Sequence, residues 1–514
     1  MKIERKKNAI SGTVFGVILK VTQIIFQFII RTIFIKTLGA EYLGLNSLFT
    51  AILQVLNLAE LGVSSALVFS MYRPIAENDS EKICQLMNLY KRYYRLIGLV
   101  VLVAGVMLVP FLPHLIKGTV PPDINLYVIY AMNLAATVLS YWLFAYRNSL
   151  FIAHQRNDII SIITIIVSFC QYAIQVIALL LLKNYYAFLT VTIISQIANN
   201  VVTAAVSKKF FPEYNPHGSV TDSEKKQINS KVRDLFTSKI GGVINNSADS
   251  IVISSLLGLE LLAIYQNYYY IISAIMAMFS IFFGACNAGV GNSLIVNSIE
   301  QNRKLLYNIN HVAFIAINFC CACFVSLCQN FMELWVGEQY TLNFEFVLLF
   351  AVYLIAEEAP RTLVLFKDAG GIWRHDRFRP LIAASVNICL NIILTPFIGL
   401  YGIILSTVFA LLFVAYPWLI ININRRLFPI NIRKYLLRVF LYILTICLST
   451  TISYFTSRLV TLTSILTTIA IRIIIAGILS TSLFMIVFSW TKENRYVIEQ
   501  INNIRKKIFN KRKV

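Results

Sequence analysis

Thr13, Gly16, Lys20, Gln23, Gln27 and Arg31 follow one another at intervals of three or four residues inside an otherwise apolar stretch. At about 100° per residue, that spacing lays them along one stripe of a helix. A lysine near the middle of a membrane-spanning helix costs about 2.5–3.5 kcal/mol on insertion scales, so it should face a water-filled cavity or a partner. Lys20 stands roughly 13 Å into its helix at 1.5 Å per residue. Snorkelling to the interface relieves part of the cost, above all for Arg31 near the far end. Lys239, Gly242, Asn246 and Ser250 repeat the pattern further along the chain, with Asp249 beside the stripe. Two such polar stripes imply a hydrated cavity between two helical lobes.

Carboxylates accompany the cations. Glu60, close in sequence to Gln54, Asn57 and Ser64, and Asp249 are candidates for carrying a coupling proton or sodium ion. A desolvated carboxylate can bind a proton near neutral pH, though a structural ion pair accounts for either residue equally well. Glu357 and Glu358 are also candidates for ion coupling, but they sit within one turn of Arg361, which favours a local salt bridge. A further run, Tyr265, Gln266, Asn267, Tyr268, Tyr269 and Tyr270, has the composition of a sugar-binding surface. Tyrosine faces suit the apolar faces of pyranoses and amides suit hydroxyls, although tyrosine is also common at a membrane interface with no ligand.

The elements that position these residues are membrane helices. The chain has 514 residues, of which 58% are hydrophobic and 13% charged, and its mean hydropathy of +0.71 exceeds what a soluble core needs. Apolar blocks recur from end to end, each able to cross a hydrocarbon core about 30 Å thick. A closed barrel would show alternation over about 10 residues, which runs such as 159–182 lack. The expected fold is all-α, with about fourteen spans: 12–36, 43–70, 94–116, 124–147, 158–182, 185–207, 232–257, 260–291, 305–329, 343–362, 380–398, 400–422, 436–457 and 465–490. The basic Met1–Asn8 precedes an apolar stretch too long for a signal peptide and without a small-residue cleavage site, so that stretch is read as the first span.

Lys and Arg sort between alternate loops. One set holds Arg73, Lys82, Lys91, Arg92, Arg147, Arg156, Lys208, Lys209, Lys225, Lys226, Arg303, Lys304 and the basic clusters of 361–379 and 425–438; the other holds little beyond Lys36, Lys117, Lys183 and Arg458. The basic loops and both tails are therefore expected on the cytoplasmic side. This dispersal accounts for the net charge of +21 and argues against nucleic-acid binding. In the basic tail, Val497, Ile501, Ile504 and Ile508 recur at helical spacing, as in a helix lying on an anionic leaflet. The nine cysteines read as buried hydrophobes, with no disulfide framework and no metal-ligand spacing. No cofactor is expected.

Leu38-Gly39-Ala40-Glu41-Tyr42-Leu43-Gly44-Leu45 recurs as Leu257-Gly258-Leu259-Glu260-Leu261-Leu262-Ala263-Ile264, an offset of 219 (258 minus 39). The same offset carries Lys20 onto Lys239, Gln27 onto Asn246 and Arg31 onto Ser250. Spans 1 and 7 run the same way, so the repeats are parallel. The expected organisation is an N-lobe at 1–209 with spans 1–6, a cytoplasmic linker at 210–231, a C-lobe at 232–424 with spans 7–12, spans 13–14 at 425–491 and a basic cytoplasmic tail at 492–514.

The stretch Arg31-Thr32-Ile33-Phe34-Ile35-Lys36-Thr37-Leu38-Gly39-Ala40-Glu41-Tyr42-Leu43-Gly44-Leu45, with Leu58-Ala59-Glu60-Leu61-Gly62-Val63 and Met71-Tyr72-Arg73-Pro74-Ile75-Ala76, resembles the Wzx-type polysaccharide flippases. These belong to the superfamily that includes multidrug and toxin extruders, oligosaccharidyl-lipid flippases and lipid II flippases. The resemblance implies two pseudosymmetric six-helix lobes plus two C-terminal helices, in the bacterial plasma membrane. It also implies translocation of undecaprenyl-diphosphate-linked oligosaccharide repeat units by alternating access. Lys20, Lys239 and Arg31 would then hold the diphosphate. Gln23, Gln27, Gln54, Asn57, Asn246, Gln266, Asn267 and Tyr269 would line the glycan path. Such a protein breaks no bond and is not an enzyme; its partners would be the lipid-linked substrate, membrane lipids and polysaccharide polymerase or other assembly proteins. Two rivals are a cation-coupled multidrug exporter, whose cavity should be acidic and aromatic rather than led by lysines, and a membrane glycan polymerase or glycosyltransferase. The short external loops speak against the latter.

Overall fold

The computed structural model describes residues 5–118, 120–460 and 465–511, without the side chains of 5–7, 9, 10, 238, 246, 465, 466, 504 and 507–511. The expected contributions of Asn246, Ile504 and Ile508 are side-chain readings and lie outside the described residues. The described chain is helical, with no strand among the described residues. Its helices are α1 (Arg5–Thr37), α2 (Ala40–Leu56), α3 (Val63–Glu77), α4 (Ser80–Leu108), α5 (Leu126–Trp142), α6 (Asn148–Ala153), α7 (Asn157–Ile177), α8 (Tyr185–Phe210), α9 (Asp222–Leu256) and α10 (Leu259–Val296). There follow α11 (Ile299–Val336), α12 (Phe344–Glu358), α13 (Arg361–Ala369), α14 (Trp373–Asp376), α15 (Arg379–Ile398), α16 (Leu400–Phe409), α17 (Tyr416–Arg426), α18 (Ile432–Arg458), α19 (Ile465–Val487) and α20 (Lys492–Lys511).

Eleven helical stretches among the described residues are long and apolar enough to cross a membrane, and twelve if α5 and the segment Ala145–Ala153, bent by 47°, form one span. The remaining two expected spans fall on α9, whose N-terminal half carries Lys225, Lys226, Lys231 and Arg233, and on α12, only 15 residues long. The second expected span stands as one stretch, Ala40–Glu77, interrupted by a short turn. After α2 a short 3-10 turn at Asn57–Glu60 leads to Gly62 at φ 86°, where α3 starts. Likewise, the loop expected before residue 94 is almost entirely helix. Asn78 in the left-handed region closes α3, and the Asp79 carboxylate accepts from the Lys82 backbone N–H at 2.9 Å to open α4.

By packing, the chain divides into Met1–Gln266 and Asn267–Val514. In the first unit α1 lies on α7, with Phe26 edge-on to Phe169 at 5.6 Å and stacked on Tyr172 at 5.2 Å. The turn between α1 and α2 and the turn between α9 and α10 are the same object at the two ends of the repeat: Gly39 has φ 105° and Gly258 φ 106°. Only glycine adopts that conformation without strain, which explains why the Leu-Gly pair recurs at the 219-residue offset (258 minus 39). In the second unit α11 is the central helix. Phe314 stacks on Tyr442 of α18 at 4.7 Å, the Asn318 amide donates to the Ser480 carbonyl of α19 at 2.9 Å, and His311 lies 2.9 Å from the Tyr442 hydroxyl.

The segment between α8 and α9 is clasped to α4. The Asn88 amide donates to the Gly218 carbonyl at 2.7 Å, the Tyr93 hydroxyl to Asn229 at 2.6 Å, and His217 Nε2 meets Glu81 at 2.9 Å. The Glu81 carboxylate, followed by the Asn215 carbonyl, raises the His217 pKa above its ordinary value of 6.5. A raised folded-state pKa means the contact is fully present below the unfolded value and lost as pH rises through the folded one. Hydrogen exchange of residues 211–221 is therefore expected to speed up on going from pH 6 to pH 9 beyond its intrinsic pH dependence, and His217→Ala should abolish that excess. An unchanged excess in the variant would contradict the clasp.

Candidate functional site

Glu60 is the best-organised of the expected polar residues. The 3-10 turn that breaks the second span lifts its half-buried carboxylate toward α4, where the Tyr94 hydroxyl donates to it at 2.8 Å. Tyr94 in turn meets the buried Tyr90 hydroxyl at 3.1 Å, and Tyr90 donates to Ser64 at 2.8 Å. From α5, the Tyr141 hydroxyl donates to Asn57 at 2.8 Å, and the Tyr141 ring packs edge-on against Tyr94 at 5.5 Å. Lys239 of α9 lies close enough to Glu60 for their charges to interact. Glu60, Asn57 and Lys239 therefore belong to one cluster inside the first unit.

What brings α9 to this cluster is a pair of glycine contacts. A Cβ on Gly62 would stand 2.7 Å from Leu235 Cβ and 2.9 Å from the Val232 carbonyl oxygen; a Cβ on Gly44 would stand 2.0 Å from the Leu259 carbonyl oxygen. Only a hydrogen fits at either place. About two and three helical turns beyond Lys239, Gln54 of α2 accepts from Ser247 at 3.2 Å, and Ser250 accepts from the Gln266 amide at 2.8 Å. The buried Asp249 carboxylate accepts from the Tyr265 hydroxyl at 3.5 Å.

The α1 stripe is present as a helical face. Lys20 and Gln27 are exposed and Gln23 and Arg31 are half-buried; Gln27 also hydrogen-bonds the Tyr172 hydroxyl of α7. Lys20 and Lys239 have no hydrogen bond or ion pair with any described residue, in contrast to the cation of α19. There, Arg472, 7% exposed, spends its guanidinium on the Val460 carbonyl at 3.1 and 3.2 Å and on Asn330 at 3.0 Å. Arg472 is a structural cation; Lys20 and Lys239 are available ones.

The other expected residues belong to the second unit. Asn267 is buried, and Tyr269 packs on Tyr353 at 6.2 Å. Glu357 accepts from Arg361 at 3.2 Å, and Glu358, fully buried, lies 3.5 Å from the same guanidinium. The local salt bridge is thus formed, by one arginine against two carboxylates.

The sequence reading missed Tyr90, Tyr94 and Tyr141. The signal was present in Tyr90 and Tyr94, four residues apart and so on one helix face, but their target lies in a turn that hydropathy reads as unbroken helix. Among the described residues no group of three or more His, Cys, Asp or Glu could hold a metal ion, and all nine cysteines are free.

Known proteins share this fold. A solved lipid II flippase, MurJ, in an inward closed conformation superposes with a TM-score of 0.65 at 16% identity, covering 93% of this chain and 99% of the other. A Vibrio cholerae MATE transporter, VcmN, gives 0.56 at 13% identity, covering 80% and 94%. A Pyrococcus furiosus transporter of the MOP superfamily, described as having a binding pocket of reverse polarity that suggests a different function, gives 0.54 at 13%, covering 82% and 95%. Nothing among curated protein sequences matches the chain. The profile of the family described as polysaccharide biosynthesis protein matches residues 9–286. With that match over more than half its length, the chain belongs to the polysaccharide biosynthesis protein family, and its many apolar helices adopt the fold of the lipid II flippase and MATE transporter structures.

Proposed function

We propose that the protein flips undecaprenyl-diphosphate-linked oligosaccharide repeat units from the inner to the outer leaflet of the bacterial plasma membrane, by alternating access, for assembly of a surface polysaccharide. The observation that carries this reading is the pair Lys20 and Lys239. Both are exposed, neither is held by a hydrogen bond or ion pair among the described residues, Lys239 having only its charge interaction with Glu60, and the 219-residue offset (239 minus 20) relates them. Moving a diphosphate through hydrocarbon costs on the order of tens of kcal/mol without compensation. The Lys20 and Lys239 ammonium groups, with Arg31 further along α1, supply that compensation, while amides such as Gln23, Gln27, Gln54 and Asn57 replace water around the sugars. The polyprenyl tail stays in lipid, and no bond is broken.

The reversed pocket polarity of the Pyrococcus transporter supports a division within the superfamily by charge. An exporter of cationic drugs needs carboxylates where this chain has lysines. Glu60, hydrogen-bonded by Tyr94 and charge-coupled to Lys239, is the proposed carrier of a coupling proton or sodium ion; Asp249 and the Glu357–Glu358 pair are secondary candidates. The basic loops and tails are assigned to the cytoplasm.

Deletion of the gene in its host tests the reading. The expected result is loss of surface polysaccharide with the lipid-linked repeat unit trapped in the inner leaflet, both restored by the wild-type chain. Normal polysaccharide in a deletion strain without a redundant transporter would overturn it and favour the exporter.

A further inference from the structure

A cleft of about 560 Å³ opens in the first unit between the end of α3, the start of α4 and the N-terminal half of α9. Phe69, Ser70, Arg73, Glu77, Gln227 and Lys231 are among the residues of its wall. None of them was among the expected binding residues, and the volume lies within the usual range of small-molecule sites, about 300–1,000 Å³.

Its chemistry selects among ligands. Arg73, Lys82 and Lys231 face Glu77, Asp79 and Glu224, three cations against three acids. The cations are already engaged: Arg73 Nε pairs with Glu77 at 2.8 Å, Lys82 Nζ with Glu224 at 2.5 Å, and Lys231 Nζ sits over the Phe69 ring at 4.4 Å. A free phosphate would have to break an ion pair to reach Arg73 or Lys82, or draw Lys231 off the Phe69 ring. A neutral polyhydroxyl ligand would not, because paired carboxylates and ammonium groups still offer acceptors and donors at their edges. Phe69, 60% exposed, adds an aromatic face that one lysine side chain covers and can vacate. An aromatic platform ringed by planar polar groups, with no net charge, suits a sugar ring.

Location adds the second argument. Lys231 and Lys239 are eight residues apart on α9, about 12 Å along the axis. Between them α9 meets Gly62 of the turn that carries Glu60. Lys239 thus lies about 12 Å along α9 from the cleft and about 80° around it, a separation a short oligosaccharide can span past the Gly62 turn. We infer that this cleft is a glycan subsite, which holds non-reducing sugars of the repeat unit while the diphosphate lies at Lys239. This rests on the flippase reading for the identity of its ligand, but not for its chemistry.

The test uses the full chain in lipid nanodiscs. The probe is the free oligosaccharide released by mild acid from the host's own lipid-linked repeat unit, so that it carries neither phosphate nor lipid. Binding is read by saturation-transfer NMR and titration calorimetry, and flipping of the intact lipid-linked unit is read separately in proteoliposomes. The expected result is saturable binding, weakened about tenfold by Phe69→Ala and by Gln227→Ala, retained in Phe69→Trp, unchanged in Lys239→Ala and not displaced by inorganic phosphate. Flipping without binding, binding indifferent to both alanine variants, or displacement by phosphate would overturn the subsite and leave the flippase reading intact. Binding that depends on Phe69 and Gln227 in a chain that does not flip would uphold the subsite as a saccharide site and remove the flippase reading.

Discussion

Gly44→Ala is expected to destabilise the solubilised protein by about 3 kcal/mol or more, lowering its Tm by about 3–5 °C and cutting the folded yield sharply. The added methyl would lie 2.0 Å from the Leu259 carbonyl oxygen, and also within 3.0 Å of the Leu259 carbonyl carbon and Cα. None of these atoms can rotate away, because they belong to the first turn of α10, fixed by the positive-φ Gly258 before it. Either α2 or α10 must move, and moving α2 disturbs the turn that carries Glu60. Gly289→Ala is the control: a Cβ there meets nothing within 4 Å, and alanine in a helix interior gains up to about 1 kcal/mol over glycine. A thermal scan showing Gly44→Ala within a degree or two of wild type would mean that the close approach of α2 to the α9–α10 turn is wrong.

The second large effect concerns the lysines. Lys239→Ala and Lys20→Ala are each expected to lower the rate of flipping roughly 10- to 100-fold, the loss of one charge-assisted hydrogen bond of about 1.5–3 kcal/mol at the stage where the diphosphate is least hydrated. Folding should be little affected, since neither side chain is held by a hydrogen bond or ion pair among the described residues. Arginine should restore much of the activity and methionine, which keeps the length without the charge, none. Lys239→Ala carries one further consequence: Glu60 loses the cation that offsets its charge. Adding Glu60→Gln to Lys239→Ala is therefore expected to be no worse than Lys239→Ala alone, a non-additivity that marks coupled groups. Arg472, by contrast, is expected to behave as a structural residue, with Arg472→Ala costing stability rather than flipping, because its guanidinium is consumed by Val460 and Asn330.

These cases show how much the sequence could disclose. The helical class followed from hydropathy, because hydrocarbon requires backbone groups to be satisfied within the segment. The α1 stripe followed from the 3.6-residue period, and the Gly39–Gly258 correspondence from a repeat whose glycines need the same left-handed turn. The break at Asn57–Gly62 did not follow, because the apolar run continues through it and only the tertiary contact of Gly62 with Leu235 and Val232 makes the turn necessary. Once that break was missed, the tyrosines that surround Glu60 were unreadable, since their relation to it depends on the turn. The salt bridge at Arg361 was legible because it is local, one helical turn long. The cleft beneath Phe69 was not legible, because it joins α3 and α9 across more than 150 residues of chain, and no short-range pattern reports such a pairing.

The most direct test of the account is the leaflet distribution of the host's lipid-linked repeat unit in proteoliposomes containing the purified chain. Transfer is read by the accessibility of the glycan to an impermeant lectin or glycosidase. The account predicts protein-dependent transfer by the wild type that falls at least tenfold in both Lys20→Ala and Lys239→Ala at equal reconstitution and equal Tm. Transfer at the wild-type rate in both variants would contradict it, since the diphosphate would then cross without the two cations on which the proposed mechanism depends.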